Sequence, residues 1–165
     1  MSVEEVREQL ERFGAGERIR TFPVSTASVA AAAEALGVPP DRIAKTLAVR
    51  VKGAGEVFVL VLPGGARVDN ARFRAEFGGK PQFVGREDCL AATGHPPGGV
   101  SPLGLKPGVK VYLDRSLTAY SEVYPAAGEP NNCIVLTPEE LFEWSGGSWV
   151  AVAAPSGSQE METPG

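Results

Sequence analysis

GHPPGGVSPLG, residues 94–104, sets four glycines and three prolines around a single valine and a single serine. Gly98 and Gly99 tolerate positive φ, so consecutive N–H groups can be turned toward one point, while Pro97 and Pro102 stiffen the two ends. Such a loop can hold a preformed curve against an incoming carbonyl or phosphate oxygen. A plain surface turn has the same composition. The segment is not a nucleophile elbow: Ser101 lies outside a GxSxG pattern, and the residues after it lack the helical periodicity that such an elbow opens.

Working outward, residues 86–93 read as a short helix ending at Gly94, so the loop leaves from a helix C-terminus. Residues 46–52 and 57–62 read as strands joined by a glycine-bearing turn over 53–55. The second strand is apolar on both faces and is placed centrally. Val3, Val6, Leu10 and Phe13 recur at helical spacing. Ser25 or Thr26 is positioned to cap a helix carrying Val29, Ala32, Ala33 and Leu36, and Asp69 or Asn70 one carrying Phe73 and Phe77. Thr137, Pro138 and Glu140 form a capping box with proline at the first helical position. Further strands are expected near 18–24, 82–84, 109–113, 122–124, 133–136 and 149–153. The order is too irregular for a doubly wound parallel sheet. It predicts one α+β domain over residues 1–154 with a mixed, strongly curved sheet, followed by a disordered tail over 155–165.

A chain of 165 residues, 43% hydrophobic, can bury a core without disulfides or metal. The longest apolar run, 57–62, is far too short to span a bilayer, and the N-terminal residues lack a secretory signal, so a cytoplasmic protein with no membrane partner is expected. Cys89 and Cys133 form no CxxC and His95 is the one histidine, so a zinc site would need carboxylates and no metal is expected. Neither GxxxxGK[ST] nor GxGxxG occurs, which leaves no expected nucleotide cofactor. A Cys–His nucleophile pair using His95 stays open beside a buried, structural role for both cysteines. The net charge of −4 is uneven. All 16 basic residues fall in 1–115 beside 13 acids, and residues 116–165 carry seven acids and no base. Wrapping of DNA or long RNA is not expected, whereas contact with one end of a nucleic acid is compatible with a local positive face.

DRIAKTL at 41–47, GHPPGGVSPLG at 94–104 and SEVYPAAGEPN at 121–131, in that order, resemble the YbaK and ProX family, relatives of the editing domain inserted in bacterial prolyl-tRNA synthetases. The similarity runs from about Thr26 to Val152. Lys45 matches the family's lysine, and Gly98 to Pro102 its GxxxP loop. The resemblance implies a sheet curved into a partial barrel and a free-standing deacylase that hydrolyses the ester of mischarged tRNA, Cys- or Ala-tRNA(Pro). It also makes prolyl-tRNA synthetase a candidate partner. A serine found in some thiol-active relatives stands near Ala126, which leaves the amino acid open.

The chemistry of the residues is compatible with that implication. An aminoacyl ester is already activated, so water or a ribose hydroxyl can attack it if the oxyanion is stabilised by main-chain N–H groups. Lys45, Gly98, Gly99 and Ser101 are the candidate catalytic residues, Lys45 anchoring the tRNA 3′ end through phosphate or ribose. Phe22, Thr46, Leu47, Val100, Pro102 and Gly128 are the candidate substrate-binding residues. A catalytically inactive tRNA-end binding module and a small ester or thioester hydrolase using Cys89 or Ser101 are the alternatives.

Overall fold

The computed structural model describes residues 2–154. The expected tail over 155–165 lies outside them. Helix α1 (Ser2–Glu11) leads through a 3₁₀ turn into β1 (Ile19–Thr21) and α2 (Val29–Leu36). A second 3₁₀ turn delivers the chain to β2 (Ile43–Val51), then β3 (Phe58–Pro63), β4 (Arg67–Val68), α3 (Asn70–Phe77) and β5 (Pro81–Phe83). Helix α4 (Arg86–Thr93), the glycine loop, β6 (Val111–Asp114), β7 (Tyr124–Pro125) and β8 (Asn132–Ile134) follow. Helix α5 (Pro138–Ser145), β9 (Ser148–Val150) and β10 (Ala153–Ala154) complete the fold.

The main sheet is mixed. Strand β2 pairs antiparallel with β3 and β5 and parallel with β7, while β3 runs parallel to β6 and β6 to β9. Its ladder runs from β5 to β9 without a pairing that joins these two edges, so among the described residues the sheet is open and no barrel closes. Two antiparallel pairs, β1–β8 and β4–β10, stand apart from it.

All six residues of β3 are buried, because helices cover both faces of the sheet. Val59 and Val61 join the core built with Val6 and Leu10 of α1 and Leu141 of α5. Phe58, Leu60 and Leu62 point the other way, into a core with Phe73 of α3. The two-residue alternation of a strand thus feeds two cores, as its unbroken apolar run requires.

Helix α2 is capped by Ser28, which accepts from Ala31 N–H at 3.1 Å, rather than by Ser25 or Thr26. Thr26 is otherwise engaged: its N–H donates to Pro130 O at 2.7 Å. That bond ties the entry to α2 against the chain just before β8. The expected strand over 149–153 is split in two. Asp114 Oδ1 accepts from Val152 N–H and Ala153 N–H, turning the chain from β9 to β10.

Candidate active site

A cleft of about 280 Å³ opens where the start of α2, the first half of β2, the glycine loop and the β7–β8 connection meet. Lys45, Thr46, Leu47, Gly98 and Val100 line it together, joined by Ser28, Tyr124, Ala126, Asn132 and Cys133. Residues more than fifty positions apart in sequence therefore line one cleft.

The glycines explain how the loop gets so close. Gly98 has φ +83°, a conformation that side chains rarely adopt, and a Cβ there would stand 3.0 Å from the Ala27 Cβ. At Gly99 a Cβ would stand 2.7 Å from Glu129 N. The loop thus lies directly on the backbone that leads into β8. Gly99 spends its own N–H on Pro96 O at 3.0 Å, closing a turn. Among the described residues no acceptor meets the N–H of Gly98 or Val100. Both belong to cleft-lining residues.

Lys45 sits on β2 opposite Leu62, and its ammonium donates to Ala66 O. Burial holds its pKa below the usual lysine value; the nearby Arg67 guanidinium adds to this, and Asp41 opposes it. One donor is used on Ala66, which leaves the ammonium two more for an oxygen ligand. Thr46 Oγ1, beside it in the cleft wall, is buried and has no hydrogen-bond partner. An unpaired buried hydroxyl is costly unless something compensates it.

No Asp, Glu or His is among the residues lining the cleft. His95 is fully buried and donates from Nε2 to Leu103 O at 2.7 Å, closing the base of the glycine loop. Its Nδ1 has no partner, and burial lowers its pKa, so the ring is neutral. Cys89 is buried, with its thiol on His95 O at 3.5 Å and its pKa raised by burial. Cys133 does line the cleft, but burial pushes its thiol up to about 11 against the pull of Arg20. At neutral pH it is a protonated, poor nucleophile.

The remaining sequence candidates lie around the cleft rather than in its wall. Ser101 is fully buried, and its hydroxyl accepts from Leu103 N–H at 3.2 Å. Pro102 is buried beside it. Phe22 is tied to Asn131 by two hydrogen bonds, its N–H donating to Asn131 O at 2.8 Å and the Asn131 side-chain Nδ2 donating to Phe22 O at 3.2 Å. Gly128 packs against α1, where a Cβ would stand 2.9 Å from Ser2 C. Asn132 was not singled out from the sequence. Its Oδ1 accepts from Ala127 N–H and Glu129 N–H at 3.2 Å each, which shapes the backbone on which Gly99 lies. Its only sequence signal is the asparagine pair at 131–132 after proline, which marks a turn and not a site. Among the described residues no group of three or more His, Cys, Asp or Glu is placed to hold a metal. No described helix is long and apolar enough to cross a membrane.

A cleft lined by one lysine and the glycine loop, with no carboxylate or imidazole among its lining residues, suits the class of hydrolases that act on an already activated acyl group. The family comparison places it within that class: residues 23–143 match the model of the aminoacyl-tRNA editing domain. The chain belongs to this family of YbaK-like deacylases and hydrolyses an ester bond. It is 41% identical over 145 residues to the uncharacterised protein YwhH of Bacillus subtilis, covering 88% of this chain and 92% of that one. It is 32% identical over 126 residues to EbsC of Enterococcus faecalis, a candidate Cys-tRNA(Pro)/Cys-tRNA(Cys) deacylase, covering 76% of each. Among solved structures, a candidate trans-editing enzyme for prolyl-tRNA synthetase superposes with a TM-score of 0.83 at 28% identity, over 93% of this chain and 98% of that one. A 30% match over 138 residues to the proline–tRNA ligase of Ralstonia nicotianae covers 79% of this chain but 22% of that enzyme.

Proposed function

We propose that the protein is a trans-editing deacylase that removes a small amino acid, cysteine or alanine, from mischarged tRNA(Pro). The observation that carries this reading is that Lys45, Gly98 and Val100 line one cleft whose lining residues include no carboxylate or imidazole. The names of EbsC and of the trans-editing structure support the substrate class.

In this reading the terminal adenosine lies against β2, with the Lys45 ammonium on its phosphate or ribose oxygens. The acyl carbonyl points at the Gly98 and Val100 N–H groups. A water oxygen bonds to the carbonyl carbon, the two amides hold the oxyanion, and the ester bond to the ribose breaks. The proton lost by the water ends on the departing ribose oxygen. Each amide of this kind contributes about 2.7–4 kcal/mol to the transition state. Leu47, Val100 and Ala126 would bound the side chain, with Thr46 as the polar neighbour. Gly99, Ser101 and Pro102 act by shaping the loop, and Phe22 and Gly128 by supporting the segment opposite it.

Covalent hydrolysis by Cys89 or Ser101 finds less support, because both side chains are buried and hydrogen-bonded within the fold. The test is a panel of mischarged tRNAs incubated with the parent and with Lys45→Ala. The expected result is turnover of Cys- or Ala-tRNA(Pro) by the parent and a large loss of kcat/KM in the variant. Undiminished turnover by Lys45→Ala removes the anchor, and binding of the tRNA without turnover by the parent favours the inactive binding module.

A further inference from the structure

Helix α1 lies outside residues 23–143, the part matched by the family model, yet it touches both loops that frame the cleft. At Gly104, the last residue of the glycine loop, a Cβ would stand 2.6 Å from Val6 N. At Gly128, on the opposite loop, it would stand 2.9 Å from Val3 N. The contact at Gly104 is more than close packing. Gln9 Oε1 accepts from Gly104 N–H at 2.7 Å, and the same amide group donates from Nε2 to Trp144 O at 2.8 Å. One side chain therefore bridges the glycine loop and the C-terminal end of α5.

Inside the loop, His95 donates to Leu103 O, and Leu103 N–H donates to Ser101 Oγ. Residues 95–103 are thus closed on themselves. What orients such a unit is how its ends and its buried face are held, and Leu103 packs into the core with Val6 and Leu10 of α1. The first end is continuous with α4. At the other end Lys106 N–H reaches Thr93 O, which also lies within the α4 side of the closure. Of these bonds, the one from Gly104 to Gln9 is the tie that fastens this unit to the body of the protein on the α1 side.

We propose that Gln9 is a positioning residue: it fixes the orientation of the loop so that the Gly98 and Val100 amides face the ester, a role that rests on the deacylase reading above. The residue touches neither substrate nor reacting atoms and acts through Gly104. Its amide is matched to both partners, since one end must accept and the other donate. Glutamate keeps the acceptor and loses the donor. Leucine loses both.

The test compares the parent, Gln9→Leu and Gln9→Glu in single-turnover deacylation at increasing enzyme concentration, with melting temperature and hydrogen exchange of the peptide spanning 95–104. Misplacement by about 1 Å costs up to about 100-fold in rate, so Gln9→Leu is expected to lower the limiting rate about 10- to 100-fold. The half-saturating enzyme concentration should stay within about twofold, because Lys45 still holds the tRNA end. Exchange in 95–104 should speed up, and Gln9→Glu, which keeps the acceptor for Gly104 N–H but sets a carboxylate against Trp144 O, should recover only part of both losses. An unchanged limiting rate in Gln9→Leu overturns the proposal, as does a loss that appears only in half-saturation. So does hydrogen exchange in 95–104 that stays at the parent's rate in Gln9→Leu. If the parent itself fails to deacylate, the functional reading falls, and hydrogen exchange still decides whether Gln9 holds the loop.

Discussion

Replacing Gly99 by alanine tests the loop without touching any group assigned to substrate. The added methyl would meet Glu129 N at 2.7 Å and its Cα and carbonyl carbon at 2.8 Å, all main-chain atoms. Ordinary contact begins near 3.4 Å, so loop and partner must separate by about 0.7 Å, the difference between 3.4 and 2.7 Å. The partner cannot yield cheaply, because Asn132 Oδ1 holds Ala127 N–H and Glu129 N–H. The loop is therefore the part that moves. Oxyanion donors act within about 2.7–3.1 Å of the oxygen, a window narrower than this displacement. The expected loss is about 10- to 100-fold in the single-turnover rate, or about 1.4–2.7 kcal/mol of transition-state stabilisation. Overpacking should also cost about 1–3 kcal/mol of fold stability, so the rate is read at a temperature where melting curves show the variant fully folded. A folded Gly99→Ala that deacylates within twofold of the parent would refute the view that loop position sets the rate.

Two further outcomes follow from the buried groups. His95 has its pKa lowered from 6.5 by burial, so the unfolded chain takes up a proton that the folded one resists. Its contribution to stability is complete above pH 6.5 and lost as pH falls below it; thermal melts of the parent should show this extra acid sensitivity and those of His95→Gln should lack it, equal slopes contradicting the assignment. Iodoacetamide at neutral pH should leave Cys89 and Cys133 of the folded protein unmodified, since burial raises both thiols, Cys133 to about 11. Rapid labelling of either, read by mass spectrometry, would show a thiolate that this fold does not favour.

Much of the architecture was legible because it is local. Helix α4 at Arg86–Thr93 and the capping box of α5, in which Thr137 and Glu140 bond reciprocally, follow from signals a few residues apart. The two-sided burial of β3 follows from its composition alone. What the sequence hid is non-local. The parallel ladders of β2 with β7, β3 with β6 and β6 with β9 join segments tens of residues apart, and no periodicity encodes them. The break between β9 and β10 depends on the Asp114 carboxylate 38 positions from Val152. The cleft divides the same way. Lys45 and Gly98 stand in recognisable motifs, whereas Asn132 and Cys133 reach the wall through the pairing of β8 with β1 and the bridge of Cys133 to Ala126. Gly99, within the same motif, uses its N–H to close a turn, and its missing side chain admits Glu129.

Rapid-quench deacylation with tRNA carrying a radiolabelled amino acid tests most directly whether amides alone, with no protein nucleophile, drive the reaction. Label should pass from tRNA to free amino acid with none on the protein at any time from the first turnover onward. Acid-stable label on the polypeptide, at Cys89, Ser101, Cys133 or any other side chain, would contradict the account.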